Sequence, residues 1–291
     1  MAGLASPILV LDSSLAGMAI VRALHDRLPN ERLAFFGDLA RAPYANRSPE
    51  RVTTFVDQIL RRVERLQPKY VLLACDVAGT VAISSLRQRL GGIPVTSTID
   101  PAARAAVEAA GDSDRPTIGV FASSWAIERR ALEQAIFRRR TKCQLYLRPT
   151  PALEAIINEG RSVEDPLLVL AASQYLEQLI AKGCEVVLLA SSALACVRRT
   201  IQSMAGEDVR VVDAARATTE DVARRLGRLR LLRPPQLAAP TNPIHWFLTE
   251  ESPELFDRAE RLAGLQLPPP TIVGLDELDA PTPADPRLRS A

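Results

Sequence analysis

Short apolar runs, each closing on small or polar residues, recur along this chain and alternate with longer amphipathic stretches. PILVL (7–11) precedes AGMAIVRALHDRL, and RLAFFG (32–37) precedes PERVTTFVDQILRRVERL. YVLLA (70–74) and IPVTSTI (93–99) follow. An apolar run with no polar alternation can be buried on both faces only inside a covered sheet. Strands of that kind separated by helical patterns pair in parallel through crossover helices. The expected class is therefore α/β, in mostly parallel layers.

The pattern then restarts. TIGVFASS (117–124) resembles ILVLDSS (8–14) at an offset of 110, and EVVLLAS (185–191) resembles YVLLAC (70–75) at an offset of 116. Two similar offsets predict two pseudo-symmetric α/β domains. One is expected over residues 1–97 plus 213–278 and the other over 98–212, with a cleft between them. Ligands of open α/β sheets sit beyond the C-terminal strand ends. Asp12, Cys75, Ser123 and Ser191 all stand at such ends. If the halves face each other, Cys75 and Ser191 flank one cleft.

Later segments follow the same logic. VRVVDAA reads as a strand and TTEDVARRLGRLRLL (218–232) as a helix opening near Thr219 and Asp221. HWFLT is a further strand. SPELFDRAERLAG places Ser252 at an N-cap, Pro253 at the first helical position and Gly264 at the stop. The Pro-rich end, 279–291, is expected to be disordered.

Composition excludes several functions. A net charge of +2 gives no bulk field for nucleic acid, and 4% aromatics make base stacking a poor prospect. Four unpatterned cysteines and two histidines predict no metal site and fit a reducing, cytoplasmic compartment. No leader or membrane span is expected, because the first residues lack a basic region and no apolar run is long enough. Cys184 and Cys196 read as packing residues, and His25 and His245 as surface or structural ones.

The segment LPNERLAFFGDLARAPYANRSPERV (28–52) resembles the glutamate racemase family, which shows L-P-N, F-G-D-x-A-R-x-P-Y-G and K/R-S-P-E there. VLDSSLAG resembles the family's D-S-G-x-G-G, ACDVAG its A-C-N-T-A, and HWFLTEESPELFDRAERLAG its closing strand and helix. The likeness spans roughly residues 8 to 278. It implies two α/β domains about a pseudo-two-fold axis, an active site between them, a homodimer and no cofactor. The implied ligand is a small carboxylate or amino acid. The implied chemistry is removal of a Cα proton on one face and its return on the other, with one thiol per face.

Carried over position by position, the resemblance makes Cys75 the first catalytic cysteine and Asp12 its assisting carboxylate. Ser13, Pro43 and Tyr44 become ligand-shaping residues, with Ala45 where the family has glycine. The second half departs from the pattern. ASSALA stands where the family has G-C-T-H-Y-P, so Ser191 replaces cysteine, Ser192 threonine and Ala193 histidine. The family's glutamate falls at Asn158, beside Glu159, and a contacting threonine falls at Ala126. After Cys75, Asp76 and Val77 replace Asn and Thr. A carboxylate at Asp76 is expected to raise the Cys75 pKa and to disfavour a dicarboxylate.

Three functions follow from this pattern. The first is single-base proton transfer by Cys75 in a one-thiol cleft. The second is a non-catalytic binding or regulatory relative, for example a partner of another racemase or, through the basic runs at 136–142 and 222–233, of DNA gyrase. The third is a weak glutamate racemase supplying D-glutamate for peptidoglycan.

Overall fold

Ten strands form two parallel sheets in the computed structural model, which describes residues 3–235, 237, 240 and 243–279. The tail expected to be disordered lies outside the described residues, Asp279 excepted. In chain order, the first sheet holds β1 (Ile8–Asp12), β2 (Leu33–Gly37), β3 (Tyr70–Leu73) and β4 (Val95–Ser97). The second holds β5 (Thr117–Ala122), β6 (Gln144–Pro149), β7 (Val186–Leu189) and β8 (Arg210–Asp213). β9 (Ile244–Leu248) and β10 (Thr271–Ile272) return to the first sheet.

The spatial orders are β10-β9-β2-β1-β3-β4 and β6-β5-β7-β8. Laid side by side, β2-β1-β3-β4 and β6-β5-β7-β8 are one order used twice. Backbone bonds just past the strand ends repeat as well. Asp38 donates to the Asp12 carbonyl (2.9 Å) as Thr150 donates to that of Ala122 (3.2 Å). Ala74 donates to Leu11 as Ala190 donates to Phe121, both at 2.8 Å. The central strands β1, β3, β5 and β7 are buried along their whole length, as their unbroken apolar runs require. Each fully buried aliphatic side chain there is worth about 1.5–3 kcal/mol.

Helix starts follow local chemistry. Ser48 caps the helix Pro49–Val63 by accepting from the Arg51 amide, with proline in the first turn. Ser252, Pro253 and Gly264 sit where the sequence places them around the helix Pro253–Ala263, Gly264 with a φ of 58°. The Ser252 side chain makes no capping bond. Cys184 is a packing residue beneath β5, where a Cβ on Gly119 would meet Leu179 at 2.5 Å and the Cys184 sulfur at 3.1 Å.

Two expectations are corrected. The helix after β8 runs Ala214–Arg228, not from Thr218 to Leu232, and its cap is Asp213, which accepts from the Arg216 amide at 2.7 Å. Thr219 and Asp221 are therefore interior. Asp221 is buried and takes Arg104 (2.7 Å), Arg225 (2.6 Å) and Arg224 (3.3 Å). The polar TTED resembles a helix start, but the preceding AARA has high helix propensity and forms the first turn. Secondly, β6 adds a strand beyond the apolar runs of the sequence pattern. It is an edge strand, partly exposed throughout, and QLYLRP lacks the continuous apolar run that marks the central strands. Among the described residues no helix is long and apolar enough to cross a membrane.

Candidate active site

Cys75 follows β3 and is the N-cap of the helix Asp76–Val81. Ser191 follows β7 and is the N-cap of a 3₁₀ turn, Ser192–Val197. Their backbones match: φ −70°, ψ 123° for Cys75 and φ −81°, ψ 139° for Ser191. The repeat thus places a sulfur and an oxygen at equivalent points of the two sheets. Asp76, next to Cys75, and Ala190, next to Ser191, line one small cavity of about 20 Å³, with Thr80, Thr98 and Ala126. Strand ends of both sheets meet there.

On the first sheet, Ser13 Oγ lies 3.2 Å from Cys75 Sγ. Asp12 Oδ1 accepts from the Ser14 amide (3.0 Å) and hydroxyl (3.2 Å), while Oδ2 is buried without a hydrogen-bond partner. Gly17 permits this packing, because a Cβ there would touch Asp12 Oδ2 at 2.8 Å. Cys75 is 8% exposed and shares a core cluster with Tyr44 and Val77, and Trp125 of the opposite half packs against that cluster. Burial first, then Asp12, pushes the thiol up to about 12. The direction is the one expected, but Asp76 is the smallest of its causes; the sequence does not show how deeply the sulfur is enclosed.

Burial also lifts Asp12 and Asp76 to about 7 each. A third carboxylate joins them from the second sheet. Glu154 lies in the helix Pro151–Asn158 beyond β6, and Thr150 Oγ1 donates to it at 3.3 Å. Burial, followed by repulsion from Asp76, lifts it to about 7. Sequence reading passed over this residue because its strand went unseen. The available signal was T-P-x-x-E directly after an alternating run. Asn158 ends that helix, and Glu159 pairs outward with Arg161 at 2.8 Å. Among the described residues, no lysine or arginine forms an ion pair with Asp12, Asp76 or Glu154.

The loop after β2 is held from behind. Asp38, fully buried, accepts from Arg41 Nε (2.7 and 3.0 Å), Thr249 Oγ1 (3.1 Å) and the Tyr44 hydroxyl. Tyr44, expected to shape the ligand, therefore spends its hydroxyl on Asp38; that bond and burial hold the phenol protonated. Pro43 precedes it and is joined to Ala42 by a cis peptide. Ser192 is buried at the start of the 3₁₀ turn, and Cys196 lies in the same turn, half-buried.

Two parallel α/β units with a thiol and carboxylates where their strand ends meet define a cleft protein of the racemase type. A family model described as Asp/Glu/Hydantoin racemase matches residues 8–222, and the chain belongs to that family. A glutamate racemase of Syntrophus aciditrophicus is 30% identical over 90% of this chain and 94% of that one. The structure of glutamate racemase from Thermus thermophilus, in complex with β-chloro-D-alanine, superposes with a TM-score of 0.79 at 27% identity, covering 94% and 99% of the two chains. The enzyme from Francisella tularensis, in complex with D-glutamate, shares the fold at a TM-score of 0.79 and 23% identity, covering 94% of this chain and 99% of that one. This chain is thus glutamate-racemase-like in sequence and fold.

Proposed function

We propose that the chain is a cofactor-independent proton-transfer enzyme acting at the α carbon of a small amino acid or related carboxylate, with Cys75 as its one working thiol. The cleft lies between a lobe of residues 1–97 plus 213–278 and a lobe of 98–212. The observation that carries the reading is the Asp12–Ser13–Cys75 group, in which the Ser13 hydroxyl touches one buried sulfur at 3.2 Å and the nearby Asp12, whose charge acts on that sulfur, keeps one buried carboxylate oxygen without a partner. Asp12 accepts the thiol proton and the thiolate takes the proton from Cα. The electron pair passes into the ligand carboxylate, and the sulfur returns a proton to the same face. Burial raises both groups and leaves the thiol above the carboxyl, so the transfer from Cys75 to Asp12 runs uphill until a ligand is bound. A ligand ammonium beside Asp76 and Glu154 lowers that cost and supplies the cation the cleft lacks.

In heavy water, one enantiomer of a suitable amino acid gains deuterium at Cα without inverting, and Cys75→Ala abolishes the gain. A panel of free amino acids that shows neither exchange nor turnover overturns this reading in favour of a non-catalytic role. The relatives favour a second reading, glutamate racemisation. Deuterium in the inverted product of glutamate establishes it, and then a group other than Ser191 serves the second face. Glu154 is the acid from the opposite half.

A further inference from the structure

A second cavity, larger than the one at the strand ends, lies outside the cleft. It measures about 700 Å³ and lies between the helix Met18–Arg27 on one side and the 3₁₀ turn Ser192–Val197 with helices Arg198–Ala205 and Ala214–Arg228 on the other. Five arginines and three carboxylates line it. Three of the arginines are engaged: Arg22 with Asp26 (2.7 Å), Arg27 with Glu220 (2.9 Å), and Arg198 loosely with Asp213 (3.5 Å). Arg199 and Arg216 form no ion pair among the described residues. Thr219, only 2% exposed, also lines the cavity, and its Oγ1 is buried with no hydrogen-bond partner.

Surplus guanidinium and a buried hydroxyl lacking a partner are the complement of an oxyanion. Guanidinium forks match the oxygens of phosphate in pairs, and an orphaned buried hydroxyl gains most from an acceptor brought to it. The excess of two positive charges equals the charge of a phosphate dianion. The volume leaves room for the rest of a small molecule. We infer that this cavity binds a small phosphorylated metabolite, with its phosphate on Arg199 and Arg216 and within reach of Thr219. Ala195 and Cys196, which line the cavity, belong to the same 3₁₀ turn that begins beside Ser191. Occupancy therefore bears on the second wall of the cleft without entering it.

Calorimetric titration of the full chain with inorganic phosphate and with glycerol phosphate, at constant ionic strength, tests the inference. Both probes bind, and the ester binds tighter. Each of Arg199→Gln and Arg216→Gln weakens binding about tenfold, and Thr219→Val about threefold. The two arginine variants sit at the surface and keep the wild-type melting temperature in chloride. Cys75→Ala leaves phosphate affinity unchanged, which separates this site from the proposed chemistry. The inference is overturned by no heat up to about 10 mM phosphate, by affinities that ignore both arginine variants, or by equal affinity for chloride. Binding of free phosphate with no gain from the ester overturns the metabolite assignment.

Discussion

The two sheets use one strand order and the same turn bonds, yet their strand ends carry opposite chemistry. On the first, Asp12, Ser13, Asp38, Cys75 and Asp76 follow the strands. At the corresponding places on the second stand Ala122, Ser123, Thr150 and Ser191, and an acid reaches Asp76 from Glu154, one helical turn further on. Backbone topology is thus decoupled from strand-end chemistry. The core that sets the order is made of buried aliphatics, which leave the residue after each strand free to change.

The sharpest way to break this comparison is to exchange the equivalent residues. Cys75→Ala should reduce Cα deuterium exchange about 10²–10⁴-fold, whereas Ser191→Ala should leave it within about threefold, read by mass or proton spectra. Equal losses would mean that both walls work.

Next come Asp38 and Thr150, which occupy matching turns. Asp38→Ala strands the buried Arg41 guanidinium and should cost about 3–5 kcal/mol in urea unfolding. Thr150→Val removes one neutral hydrogen bond and should cost about 1 kcal/mol.

A third contrast concerns pH. The folded pKa values of Asp12, Asp76 and Glu154 lie near 7, above their ordinary values of 3.8 to 4.5. Their contribution to stability is complete below about pH 4 and is lost as pH rises through 7. Melting temperature should therefore rise by several degrees from pH 8 to pH 5, at about 2–4 °C per kcal/mol. The double variant Asp76→Asn, Glu154→Gln should flatten most of that slope and be the more stable protein at pH 8. Carboxylates held low by partners, such as Glu133, Asp165 and Glu277, act in the opposite sense and only at more acid pH.

The smallest effect is that of the cover. Trp125→Ala should admit water to the sulfur and lower the thiol pKa by about one unit, seen as an earlier rise in the pH dependence of iodoacetamide alkylation.

Much of this was legible before any coordinates. Central strands announce themselves because burial on both faces demands unbroken apolar runs, and two copies of one run fixed the repeat and the strand ends. Edge strand β6 escaped because partial exposure permits Gln144, Tyr146 and Arg148, and with it went Glu154. The burial that governs Cys75, Asp12 and Asp76 also escaped. It is created by residues far away in the chain, such as Leu11, Tyr44 and Phe247 in the cluster around Cys75, and no local pattern encodes it. The role of Tyr44 was half visible: its place in the loop was, its bond to Asp38 was not.

Cys75 and Ser191 adopt nearly the same φ and ψ at the head of their turns. Exchanging oxygen for sulfur at position 191 therefore asks nothing of the main chain. The asymmetry is only side-chain deep, so drift or laboratory selection can cross it in either direction while the scaffold stands still.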